Sequence, residues 1–166
     1  MADSKGHFAY MNLQCNFFQY SMLVDHVSDL PALRDMSIYQ VLEQMTKIVD
    51  DDLVKDLLSQ SALGPVNIKT KNILIVLLSH KENALIQRYC VCLLAKLATT
   101  TARLRNRMRV LRRNGVISIV IHAMTAHRYD AQIQEWACVL FIELYGLDGS
   151  DCFFIDEVVS AEGVRF

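Results

Sequence analysis

The chain has 166 residues, 52% apolar and 21% charged, a balance that suits a packed chain and excludes a disordered one. Six Gly and two Pro are too few for an all-β sandwich or barrel, which needs turn residues about every 8–12 positions. The net charge of −1 hides an acidic–basic–acidic layout: residues 1–60 carry four basic and nine acidic side chains, residues 61–128 twelve and one, and residues 129–166 one and eight. Such a layout bears on partners and not on fold.

Apolar residues recur at helical spacing almost throughout. The pattern predicts helices at about 8–26 and 37–49, the latter followed by the run Asp50-Asp51-Asp52. A calcium loop would need alternating oxygens, a Gly bend and a distal Glu, none of which follows. The run instead suits the N-terminus of a helix at 52–61, where carboxylates cap free N–H groups and meet the positive end of the dipole. The next helix is expected at 67–79, with Pro65 at or near its first turn, where a missing N–H costs nothing. Helices at 83–98, 102–113, 115–126 and 131–146 follow, and 151–161 begins another. The apolar run Ile73 to Leu78 is six residues and no run exceeds seven, far short of a membrane span. Asp3 and polar residues stand where a signal peptide would be basic and then apolar, so the expected compartment is cytoplasmic, with the nucleus as the alternative. The cysteines at 15, 90, 92, 138 and 152 are odd in number. Cys90 and Cys92 point about 200° apart on a helix and cannot bridge. They are expected as small buried side chains in a reducing compartment.

The chain repeats itself. Apolar positions 133, 136, 137, 140, 141 and 144 copy positions 86, 89, 90, 93, 94 and 97, a shift of 47. Gln87 then matches Gln134, Tyr89 matches Trp136, Ala84 matches Ala131 and His80 matches His127. A third copy fits at Ile38, Val41, Leu42, Met45 and Val49, shifted by a further 48. Val110 to Val116 matches Val158 to Val164, both with a Gly (Gly115, Gly163) in the left-handed cap position that ends a helix. A looser copy runs from Leu57-Leu58 to Gly64-Pro65-Val66. A unit of about 47 residues with three helices reads as a stacked helical repeat. In this phase Trp136 is expected as a core anchor, and Trp136→Ala is expected to cost about 3–5 kcal/mol. His80 and His127, at one repeat position, are expected to hydrogen-bond a helix end.

Gly115-Val116-Ile117-Ser118-Ile119-Val120, then Met124, then Gln132-Ile133-Gln134-Glu135-Trp136-Ala137 and Leu144, resembles the armadillo repeat. That family has a Gly-led second helix, a polar turn, and a third helix opening on V/I-Q-x-x-A. Ile86-Gln87-Arg88-Tyr89-Cys90 is similar to it in a more degenerate form. The resemblance covers about residues 37–166 and implies an all-α fold, a right-handed α-solenoid of about three repeats. The implied organisation is an N-terminal segment or incomplete repeat at 1–36, a partial unit at 37–49, units at 52–98 and 102–146, and a truncated unit at 151–166. It also implies that the third helices line the concave face. Exposed positions there would be Gln40 and Gln44, then Arg88, Cys92 and Lys96, then Glu135, Val139 and Glu143. Members that grip extended peptides carry an Asn near the end of the third helix. Here that position is Ile48, Lys96 and Glu143, so no asparagine ladder exists.

No nucleophile–base motif, phosphate loop or zinc-protease motif occurs in the sequence, and no catalytic residue, cofactor or metal site is expected. The sharpest feature is Arg103, Arg105, Arg107, Arg109, Arg112 and Arg113, six Arg within the thirteen residues 101–113. Leu104, Met108 and Leu111 form one helical stripe, and the Arg side chains take most of the remaining circumference. Arg, unlike Lys, forms paired bonds with carboxylate or phosphate, so the segment is expected to dock a protein with an acidic surface. Nucleic acid is disfavoured because no aromatic side chains are interleaved with the Arg. No membrane contact is expected. The expected function is non-catalytic protein–protein interaction. The alternative is a structural assembly subunit, or a fragment of a larger solenoid, associating through an apolar C-terminal edge with Phe153, Phe154 and Phe166.

Overall fold

Six α-helices and one 3-10 turn follow one another in the computed structural model, which describes residues 32–100, 106, 112 and 115–145. All of these belong to the unit Pro31–Phe166. The described residues form helices and turns and no strand, so this part of the chain is all-α. The helices expected at 8–26 and 151–161 lie outside the described residues. So does the one at 102–113 apart from Asn106 and Arg112, both helical.

Helix α1, Ile38–Ile48, opens on a capping box. The Ser37 hydroxyl accepts from the Gln40 N–H, and the Gln40 side chain accepts from the Ser37 N–H at 2.7 Å. Helix α2, Asp52–Ser61, is capped by Asp51, whose carboxylate accepts from the Leu53 N–H at 2.8 Å. The acidic run therefore sits at a helix junction, as its position suggests. A single helix over 67–79 does not form. Gly64, at φ +101°, turns the chain into a 3-10 turn at Pro65–Asn67, and helix α3 starts only at Thr70. Between them Ile68 is extended and fully buried. The gain from burying that side chain outweighs a continuous helix.

Helix α4 spans Ala84–Thr100, α5 Val116–Ala126 and α6 Ala131–Tyr145. Gly115 precedes α5 at φ +79°, in the left-handed region that its lack of a Cβ allows. Packing follows the 47-residue repeat. Helix α3 packs on α4 and α5 packs on α6, and between these pairs α3 meets α5 while α4 meets α6. Helix α1 also packs on α4, so α1, α4 and α6 are joined in a row through α4, with α2 against α1 and α3. The core runs through this row, from Val41, Leu42 and Met45 to Ile86, Leu93, Leu94 and Leu97, and on to Ala137, Leu140 and Leu144.

Candidate interaction surface

The repeat extends to hydrogen bonds. Gln87 Nε2 donates to the carbonyls of Leu77 and His80 at 2.8 and 2.9 Å. Gln134 Nε2, 47 residues on, donates to the carbonyls of Met124 and His127 at 3.0 and 3.4 Å. Each Gln reaches back from the last helix of its pair to carbonyls at the C-terminal end of the preceding one. The starts of α4 and α6 also match. Asn83 accepts from the Ile86 N–H at 3.2 Å. Asp130 accepts from the Gln132 and Ile133 N–H groups at 3.1 and 3.2 Å.

The two histidines tie turns together. His80 Nε2 lies 2.7 Å from Asp51 Oδ2, joining the end of α3 to the start of α2. The bond from His80 holds the Asp51 carboxyl below the ordinary aspartate range. His127 Nε2 lies 2.7 Å from the Lys81 carbonyl and joins the end of α5 to the preceding turn. Both residues serve helix ends, the structural job predicted for them.

The row of α1, α4 and α6 is less open than the sequence pattern predicts. Gln40 is exposed but spends its side chain in the capping box. Gln44 is half-buried. Arg88 pairs with Asp130, with side chains only 21% and 8% exposed, and so joins α4 to the cap of α6. Cys92 is fully buried, a correction to its expected place on the open face. Burial pushes its thiol up to about 12. Cys90 is buried too, and its thiol is raised for the same reason. Lys96 Nζ donates to the Arg34 carbonyl at 3.1 Å and lies 5.1 Å from the centre of the Trp136 ring. Glu135 pairs with the Arg34 guanidinium. Val139 and Glu143 are half-buried.

Trp136 is not the core anchor that its match with Tyr89 predicts. Tyr89 is buried, whereas Trp136 is half-buried and packed against the core. It forms one wall of a cleft of about 330 Å³, between the turn at Ala32–Asp35 and the α6 residues Gln132, Glu135 and Trp136.

In the Arg-rich segment, Arg103, Arg105, Arg107, Arg109 and Arg113 lie outside the described residues. Arg112 is 6% exposed. That corrects its place in the docking set, because a buried guanidinium is not presented to a partner. The C-terminal edge with Phe153, Phe154 and Phe166 is also outside the described residues.

Among the described residues no group of three or more His, Cys, Asp or Glu is placed to hold a metal ion. No described helix is long and apolar enough to cross a membrane. Arg34 and Asp130 were missed as organising residues. Asp130 had a signal, since it and Asn83 are Asx residues 47 apart, each before a periodic run. Arg34 had none, because it belongs to no repeat position. Comparison with known proteins finds no matching family, curated protein or solved structure.

Proposed function

We propose that this chain is a non-catalytic protein-interaction module built as a short right-handed armadillo-like solenoid. Its units would be 37–49, 52–98 and 102–146, with 1–36 before them and 151–166 after them. The observation that carries this reading is the repeated bonding of Gln87 and Gln134, which stand 47 residues apart and each donate to two carbonyls of the preceding helix end. Matching bonds at that spacing, with α4 stacked on α6, support a fold that grows by adding units. Such folds offer long surfaces and few enclosed pockets.

The contact with a partner is electrostatic and centred on Arg103, Arg105, Arg107, Arg109 and Arg113. Between residues 61 and 128 Glu82 is the single acid against twelve basic side chains. A surface of that kind speeds encounter with an acidic protein and makes binding salt-sensitive, since screening acts over about 8 Å at physiological ionic strength. Arg88, Lys96, Glu135 and Glu143 on the third helices form a second, smaller contact. Their internal partners Asp130 and Arg34 reduce what they offer.

The test is Arg107→Glu with Arg109→Glu, which leaves the Leu104–Met108–Leu111 stripe intact. Partners captured by the parent chain should be lost, and high salt should mimic the loss. Retention of every partner at parental affinity, with an unchanged helical circular dichroism signal, would defeat the proposal.

A further inference from the structure

The turn at residues 32–35 closes with the Asp35 N–H donating to the Ala32 carbonyl at 2.9 Å. On either side of Arg34, Leu33 and Met36 are buried in the core. The capping box of Ser37 and Gln40 then fixes the chain as it enters α1. Arg34 itself stands out, with 77% of its side chain exposed. Yet it makes two contacts with distant parts of the chain. Its carbonyl accepts from Lys96 on α4 at 3.1 Å, and its guanidinium pairs with Glu135 on α6. Lys96 in turn sits over the Trp136 ring.

The anchors and the ties differ in kind. Burial of Leu33 and Met36 does not depend on ionic strength. An ion pair between exposed side chains is weak and is screened by salt. The turn therefore has a fixed frame and a salt-sensitive centre.

We propose that Arg34 is a clasp over the third-helix face. Closed, the Arg34 side chain lies over Lys96, Glu135 and Trp136. Open, it leaves those three side chains available while Leu33, Met36 and α1 stay in place. As a control on partner access the clasp rests on the interaction function proposed above; as a moving part it rests on the contacts of Arg34 alone.

Trp136 is the one tryptophan in the chain, so the full-length protein reports the clasp directly. Acrylamide, which is neutral, quenches its fluorescence in proportion to access. In low salt, Arg34→Ala and Glu135→Gln should each raise the quenching constant to the value the parent reaches in about 1 M NaCl, where the screening length is only about 3 Å. Both variants should lose the salt response. The double variant should go no further than either single one, because the two residues act as a pair. Arg34→Lys keeps the charge and should keep part of the salt response. Circular dichroism should be unchanged in all of them. A parent constant that ignores salt overturns the clasp, as does a double variant whose effect is the sum of the singles. These readouts involve no partner, so their failure leaves the Arg-rich docking contact standing. A clasp that opens as described, in a chain whose partner capture is the same with Arg34→Ala as without it, overturns the control of access alone.

Discussion

Gln87 and Gln134 hold equivalent carbonyls, yet Gln87 is buried and Gln134 is half-buried. The same contrast runs along the two helices that carry them. In α4, Val91, Cys92 and Ala95 are buried as well as the expected apolar stripe. Their equivalents in α6 are Cys138, Val139 and Ile142, of which the first two are half-buried and Ile142 is exposed. Among the described residues, helix α4 is covered by α1, α3 and α6, whereas α6 meets α4 and α5. Two near-copies of one sequence pattern thus take different burial from the number of neighbours. A helix apolar on most sides is expected where neighbours cover most sides.

The contrast is broken most severely by truncating equivalent large side chains. Leu94 is fully buried, and its match 47 residues on, Phe141, is half-buried. Leu94→Ala should cost about 4 kcal/mol in urea unfolding, through lost burial and the cavity left behind. Phe141→Ala removes a larger side chain and should nevertheless cost less. Equal or reversed costs would show that neighbour number does not set the burial of these helices.

The two N-caps offer a smaller effect. Asn83→Ala removes a cap alone and should cost about 1 kcal/mol. Asp130→Ala removes a cap and also strands Arg88 in a poorly exposed position, so it should cost about 2–3 kcal/mol. Asp130→Asn separates the two contributions, since an amide still caps but no longer pairs a charge. Thermal unfolding that ranks Asn83→Ala as the more damaging change would remove Arg88–Asp130 as a link between α4 and α6.

The smallest effect concerns the histidines, which share a repeat position but not a partner. His80 meets a carboxylate and His127 a carbonyl. Because the Asp51 pKa is lowered in the folded chain, its ionised form adds stability above the ordinary aspartate pKa. That contribution fades as pH falls towards the lower folded value. Asp51→Asn should therefore lower stability near neutral pH and flatten the acid limb of stability against pH below about 4. His127→Gln keeps a donor for the Lys81 carbonyl and should leave the acid limb as it is. An acid limb of parental steepness in Asp51→Asn would mean that other carboxylates govern it.

Local pattern was enough to place the helices. Spacing of apolar residues located α1, α2, α4, α5 and α6 to within two residues at each end. Asp51 and Gly115 marked their boundaries because capping depends on groups within a few residues in the chain. The match of Gln87 with Gln134 was visible as an identity, although its two-carbonyl role was not. What local pattern left open was which side of each helix would be covered, and by what. Cys92 looked open and is buried, Trp136 looked buried and is half-open, and Arg112 looked like a surface charge. A helical repeat assigns the same face to every copy, but burial is set by neighbours that come from different distances along the chain. Arg34 shows this most plainly. Its partners Lys96 and Glu135 lie 62 and 101 residues away, and no periodicity in its own segment points to either. Only when α1, α4 and α6 pack in one row does the turn before α1 come against the other two helices.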